Sequence, residues 1–352
     1  MRLCYISRCY NDAPGGAGIK AKSDVEDILA QMGAVNLGLR RRYSKNKAKG
    51  FILNAIGILK YGFFLKRGDV VVLQYPVKKY YNILCRVARL RGAKTISLIH
   101  DLGTFRRKKL SSDQELQKLL LSDHLITLNS SMKQWLVENG CKVPVSVQGI
   151  WDFLSEQNNN ENCCSAGKVV EAANIKDKRS VVYAGSLAEK KNPFLYQMIK
   201  NVTSYKLDLF GNPGKRSLEG ENVVCHGYVK YNSLINDPTG DFALVWDGDS
   251  VDTCTGSFGE YLRYNTPHKV SLYVRMGLPI IIWREAAMAK FIMENKIGFC
   301  IDSVNELNDV IPAVSYEEYS QMKRNVEALS VKLANGEFIK KCINKIIDAY
   351  KL

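Results

Sequence analysis

Short β-rich runs alternate with helix-length runs along almost the whole chain, and no other feature narrows its fold as much. In residues 1–150 the strand-like runs are Leu3–Ser7, Asp69–Tyr75, Lys94–His100, His124–Leu128 and Val143–Gln148. Helical patterns lie between them, near Lys20–Met32, Phe51–Phe64, Lys78–Arg91, Asp113–Leu121 and Ser130–Glu138. Ser130 and Ser131 are candidate caps of the last of these. The pattern breaks at Ser155–Ser165, which is polar, Asn-rich and without period. It then restarts with strands at Ser180–Gly185, Tyr205–Gly211, Asn222–Cys225, Phe242–Trp246, Pro279–Trp283 and Gly298–Ile301. The accompanying helices fall at Pro193–Val202, His268–Met276, Ala286–Glu294, Val304–Ile311, Tyr316–Ala334 and Glu337–Tyr350. Alternation of this kind predicts parallel, doubly wound sheets. The expected fold class is α/β, with two Rossmann-like domains facing a cleft, at residues 1–150 and 179–335. Residues 151–178 would link them, and a C-terminal helix at 336–352 would be placed to pack back on the first domain.

Charge divides along the same line. Residues 1–150 carry 26 Lys and Arg against 10 Asp and Glu, a net +16, whereas residues 151–352 carry −1. The clusters are Arg40-Arg41-Arg42 with Lys45, Lys47 and Lys49, then Lys66-Arg67, Lys78-Lys79 and Arg106-Arg107-Lys108-Lys109. A basic half seeks a polyanion: nucleic acid, an anionic membrane face or a phosphorylated ligand. A nucleic-acid-binding protein would explain the charge, yet no binding motif and no aromatic–basic interleaving is present. An NAD-type oxidoreductase would explain the strand–helix pattern. It calls for GxGxxG with an acidic residue about 20 positions on, which neither half supplies cleanly. The apolar run Phe51–Leu65 contains Asn54 and Lys60 and is shorter than the ~20 residues of a spanning helix. It reads as an amphipathic or buried helix between two basic clusters, and the expectation is peripheral contact with an anionic membrane face. Ten cysteines without a CxxC pair, and no export signal in Met1–Ser7, point to a reduced, cytoplasmic chain.

Candidate site residues gather at predicted strand ends. Gly15-Gly16-Ala17-Gly18 precedes the first helix, where glycines let backbone amides approach a phosphate. His100-Asp101 closes the strand Lys94–His100; a carboxylate there could take a proton from a hydroxyl, with the histidine orienting a ligand. In the second half, Tyr183 to Phe194 reads strand, glycine turn at Gly185, basic residues Lys190-Lys191, then Pro193 at a helix start. Tyr228 follows a short strand and could stack on a base. Asn265 to Lys269 leads into an amphipathic helix. A lysine is unfavourable at that end, so Lys269 is expected to have an anionic partner. Asp247-Gly248-Asp249 could bind a divalent metal but recruits no further carboxylate in the sequence, so no metal is expected.

Taken in order, the glycine loop, IHD, YAGSL-x-KKNPF, LFG, HGY, VWDGD, YNTPHK and MGLPIIIW resemble the GT-B glycosyltransferases over nearly the full chain. The resemblance is strongest to a bacterial group with β-1,6-galactofuranosyltransferases of polysaccharide assembly and glucosyltransferases that extend O-linked GlcNAc on serine-rich adhesins. It implies hexose transfer from a UDP-sugar to a saccharide acceptor, lipid-linked in one form, with no metal or other cofactor. Carried over by position, Gly185, Leu187 and Lys191 would line the diphosphate and Tyr228 would face the uracil. Asn265, Lys269 and Leu272 would hold ribose and phosphates, with His268 beside them, and Gly15 and Gly16 would close from the first domain. The paired glutamates (E-x7-E) of many retaining relatives are absent, and Asn265 stands in that region. In an inverting reaction Asp101 would be the base; in a retaining one His100 would touch the sugar. A homo-oligomer is expected.

Overall fold

The computed structural model describes residues 1–10, 17–77, 80–106, 110–155, 178–212, 214 and 216–351. In chain order the first half forms β1 (Leu3–Tyr5), β2 (Cys9–Tyr10), β3 (Val35–Asn36), β4 (Arg42–Tyr43), β5 (Val70–Tyr75), β6 (Lys94–Ile99), β7 (His124–Thr127) and β8 (Val145–Val147). The second half forms β9 (Ser180–Ala184), β10 (Lys206–Phe210), β11 (Val223–Gly227), β12 (Phe242–Val245), β13 (Ile280–Trp283) and β14 (Gly298–Ile301). Each of the eleven strands expected from the sequence is present. The two-residue strands β2, β3 and β4 were not expected, because two residues carry no period.

Two six-stranded sheets result, in the orders β3-β1-β5-β6-β7-β8 and β11-β10-β9-β12-β13-β14, and every pairing within them is parallel. β2 and β4 pair separately. Strand order reverses direction between β1 and β5 in the first sheet, and between β9 and β12 in the second. Open parallel sheets take ligands at such points, outside the strands' carboxyl ends.

The inner strands are apolar because both faces are covered, whereas the edge strands β8 and β11 are exposed or half-buried throughout. β12 (FALV) and β13 (IIIW) are buried at every position. In β5 the side chains alternate. Val71 and Leu73 pack with Tyr61, Tyr81 and Leu84 on one face. Val70 and Val72 pack on the other with Val25, Ile28 and Leu29 of the helix Ala17–Gln31 and with Ile339, Ile343 and Ile346 of the helix Glu337–Lys351. The chain's last helix therefore covers the first sheet. Buried Asp152 holds its start, accepting the N–H groups of Phe338 (3.2 Å) and Ile339 (2.8 Å). Burial pushes the Asp152 carboxyl up to about 7, against the two N–H groups that favour its charge.

The helix Ser130–Glu138 is capped by Asn129, whose side chain accepts the Met132 N–H at 2.8 Å. Ser130 and Ser131 already lie within the helix, which corrects the expected cap. The same Asn129 reaches across to the second half, donating to Tyr264 O and Thr266 Oγ1, both at 2.9 Å. Trp151 Nε1 donates to Thr266 O at 3.0 Å, and Phe105 stacks on Tyr264 with ring centroids 4.1 Å apart. These contacts hold the two sheets about a cleft.

Candidate functional site

The cleft is a cavity of about 490 Å³ lined from both halves. Its second-half wall is built at the ends of β9, β10 and β12. Gly211 has φ +153, and a Cβ there would lie 1.9 Å from Gly185 O. Only glycine lets the ends of β9 and β10 meet this closely. Gly185, Lys191 and Gly211 line the cavity, and the half-exposed ring of Tyr228 stands at its edge.

The helix His268–Arg275 enters the same wall behind Pro267. Its Lys269 ammonium lies 2.9 Å from Asp247 Oδ1 and 3.4 Å from both Tyr183 OH and Trp246 O. Asp247 also accepts from Tyr183 OH at 3.2 Å. A cation at a helix start is opposed by the helix dipole, and the Asp247 carboxylate offsets that. The anionic partner expected of Lys269 is thus a residue of its own chain. Asp249, the other carboxylate of Asp247-Gly248-Asp249, lies instead against Gly256, where a Cβ would meet it at 2.2 Å. Among the described residues no three His, Cys, Asp or Glu side chains gather as a metal would require. Asn265 and Leu272 line the cavity as well. His268 stacks on Phe153 at 4.8 Å and hides its Nε2 from solvent without a hydrogen-bond partner. Desolvation, helped by nearby Lys20, lowers its pKa to about 3, so the ring is neutral.

The first-half wall is built after β6. His100 is buried, shares a 2.8 Å hydrogen bond with Gln74 Oε1 and packs 4.5 Å from the Trp151 ring. Burial, with Lys22 and His268 nearby, holds its pKa well below the usual histidine range. Asp101 follows, and its Oδ1 accepts from Tyr261 OH at 3.2 Å. That hydroxyl in turn accepts the Leu102 N–H at 3.2 Å. The loop beyond is pinned by Glu115, which accepts from the N–H groups of Gly103 (2.7 Å) and Thr104 (2.8 Å) and from Tyr75 OH (3.0 Å). Asp101 therefore stands on a fixed loop, tied by Tyr261 to the opposite wall.

Of the residues singled out in the sequence, His100, Asp101, Gly185, Lys191, Tyr228, Asn265, His268, Lys269 and Leu272 all line this one cavity. Gly15 and Gly16 lie outside the described residues. Leu187 is not among the cavity-lining residues: its side chain is fully buried in the second core, and its carbonyl accepts from Tyr196 OH. A position two residues past a strand end does not say which face a side chain takes. Sequence reasoning missed Lys20, Tyr183, Trp151, Phe153 and Tyr261, and saw Asp247 only as a metal ligand. Lys20 is a buried ammonium bonded to Asp24 and Leu154 O, over the rings of Phe153 (4.6 Å) and Tyr231 (5.0 Å). Its one sequence signal is Asp24, four residues on along the helix. Trp151 and Phe153, assigned to a linker, are buried and line the cavity between the halves.

With this geometry, the chain matches the glucosyltransferase 3-like N-terminal domain over residues 3–150 and the C-terminal domain over residues 181–346. The chain belongs to the glucosyltransferase 3-like family. It is 30% identical to beta-1,6-galactofuranosyltransferase WbbI of Escherichia coli (strain K12) over 355 residues, covering 99% of each chain. It is 26% identical to glucosyltransferase 3 of Streptococcus gordonii, over 80% of this chain and 79% of that one. Among solved structures it superposes on WaaG, a glycosyltransferase involved in lipopolysaccharide biosynthesis, with a TM-score of 0.52 at 12% identity, covering 96% of this chain and 98% of WaaG. A glycosyltransferase from Rickettsia africae gives a TM-score of 0.53 at 12% identity, covering 99% and 98%. The protein is a glycosyltransferase of GT-B fold. In this glucosyltransferase 3-like enzyme the cleft brings Lys20, Lys22 and Asp101 of the first half to one cavity with Lys191, Asp247 and Lys269 of the second.

Proposed function

We infer that this glycosyltransferase moves a hexose, galactofuranose or glucose, from a UDP-sugar to a saccharide acceptor in surface polysaccharide or glycoprotein assembly. The observation that carries the reading is the second-half wall, where the close meeting of Gly185 and Gly211 lies beside Lys191 and Lys269, across the cavity from Asp101. Two relatives named for galactofuranosyl and glucosyl transfer support this choice of sugars.

In this reading UDP lies along the second half. Gly185 admits the diphosphate to the backbone, and Lys191 and Lys269 neutralise it in place of a metal. Asn265 and Leu272 contact the ribose, and Tyr228 stacks on the uracil. Asp101 takes the proton from an acceptor hydroxyl as that oxygen bonds to the anomeric carbon. The bond from that carbon to the β-phosphate oxygen breaks, and UDP leaves with the electron pair. His100 is neutral and can only orient the sugar or acceptor, not carry charge. The acceptor reaches the first-half wall from the cytoplasmic face of a membrane in its lipid-linked form, and the enzyme works as a homo-oligomer. Calorimetry with UDP in EDTA tests the donor site: UDP should bind, and binding that returns only when a divalent metal is restored would overturn the metal-free grip.

A further inference from the structure

The helix Lys47–Phe64 turns its apolar side away from the protein. Its inward residues recur as Gly50, Asn54, Gly57 and Tyr61, continued by Leu65 just past its end. The Asn54 amide brackets the backbone N–H and carbonyl of Cys9 at 3.0 and 3.2 Å, and Tyr61 OH donates to Leu84 O at 3.0 Å. Gly57 admits Leu39, whose backbone nitrogen would lie 3.6 Å from a Cβ there. The outward residues recur with the same spacing as Ile52, Ile56, Leu59 and Phe63, exposed by 58, 46, 74 and 76%. A helix on the surface of a folded domain ordinarily buries its apolar stripe and shows its polar one. Here the inward side is narrow, small or polar at Gly50, Asn54 and Gly57 and anchored in the core by Tyr61 and Leu65, while a contiguous apolar stripe faces out.

Charge identifies what that stripe meets. Between Asp27 and Asp69 the chain has no Asp or Glu, and between Arg40 and Arg67 it carries nine Lys and Arg. Arg41 is matched by Asp27 at 2.9 Å, and Lys60 donates to Gly38 O. Lys45, Lys47 and Lys49 before the stripe, and Lys66 and Arg67 after it, are exposed. An apolar stripe with cations at both ends fits the plane of an anionic bilayer, with apolar side chains at the acyl boundary and cations at headgroup level. A second copy of the chain fits poorly, because a two-fold contact would set this cation-rich face against itself. The helix is also the wrong kind to span: among the described residues no helix is long and apolar enough to cross a membrane.

We propose that the outward face of the helix Lys47–Phe64 docks the enzyme on an anionic lipid bilayer, with Ile52, Ile56, Leu59 and Phe63 entering the interface. The proposal stands apart from the donor reading, since lipid binding is measured without turnover.

Co-sedimentation of the full chain with phosphatidylcholine vesicles, with and without phosphatidylglycerol, tests it. Binding should require the anionic lipid and fall steeply from low to physiological salt. Lys47→Ser with Lys49→Ser should weaken it by roughly thirtyfold. Leu59→Ser with Phe63→Ser, at exposed positions, should abolish it while UDP binding by calorimetry stays at the wild-type value, which shows the fold intact. Equal binding to both vesicles, or binding to neither, overturns the proposal. So does sedimentation velocity that shows self-association lost in Leu59→Ser with Phe63→Ser when no vesicle binds, since the face would then be a subunit contact.

Discussion

The two sheets have the same number of strands, all parallel, yet they reverse order at different places, and the cleft uses the two reversals differently. In the second sheet the residues after both switch strands reach the cavity: Gly185 follows β9 and Asp247 follows β12. The proposed diphosphate site lies at the switch point itself, with Lys269 paired to Asp247. In the first sheet the switch lies between β1 and β5, but the cleft carboxylate follows β6, one strand further on. There β5 contributes Gln74, which fixes His100 beside Asp101. The surface charge differs as sharply. Both halves hold a lysine in a pair, Lys20 with Asp24 and Lys269 with Asp247, but the first half also leaves its excess cations exposed around an outward apolar stripe. One architecture thus carries the proposed diphosphate site on one side and a candidate base on the other, and the two should be separable by mutation.

The largest separation is expected at Asp101. Asp101→Asn should lower transfer by about 10²–10⁴ while UDP affinity by calorimetry stays at the wild-type value. A parallel loss of UDP affinity would mean that the walls do not divide the work. The next effect is on stability, at Asp152, where the strip between the halves meets the last helix. Its carboxyl has an ordinary pKa of 3.8 and a folded one of about 7. Between these values the unfolded chain has released a proton that the folded chain keeps. The contribution is therefore complete below about pH 4 and is lost as pH rises through 7, by up to about 4 kcal/mol. His268 slopes the other way, because its lowered folded pKa costs stability as pH falls below 6.5. Urea unfolding of wild type and Asp152→Asn across this range isolates the Asp152 part: the wild type should lose its advantage towards neutral pH, and identical slopes would exclude it.

Lys269→Ala should weaken UDP binding by about 1.5–3 kcal/mol, the worth of a hydrogen bond to a charged group. Asp247→Asn leaves Lys269 without its carboxylate and should tighten UDP, so tighter binding in Lys269→Ala would reverse the roles given to the pair. The smallest effect is at the tie between the walls. Tyr261→Phe removes two hydrogen bonds, to Asp101 and from the Leu102 N–H, each worth about 0.5–1.5 kcal/mol, and keeps the ring that packs on Phe105. It should lower kcat by about two- to tenfold and leave UDP affinity unchanged, and unchanged kcat would show that Tyr261 does not position Asp101.

The inner strands were legible in the sequence because β5, β12 and β13 are buried on both faces and therefore nearly all apolar, whereas the edge strands β8 and β11 are exposed or half-buried and were marked by their β-rich residues and flanking turns. Strand-end positions were legible for the same reason, which brought His100, Asp101 and Gly185 into view together, while Lys269 was read from the start of its helix. Leu187 shows the limit, since the end of a strand is visible in sequence but the direction of the next side chains is not. Tyr261 is 160 residues from Asp101 and Asn129 is 137 from Thr266, so neither pairing has a local signature. The helix Lys47–Phe64 marks the boundary most clearly. Its period and its flanking cations are properties of the sequence. Periodicity sorts residues into faces, however, and packing against Cys9, Leu39 and Leu84 decided that the small and polar face turns inward and the apolar one meets solvent.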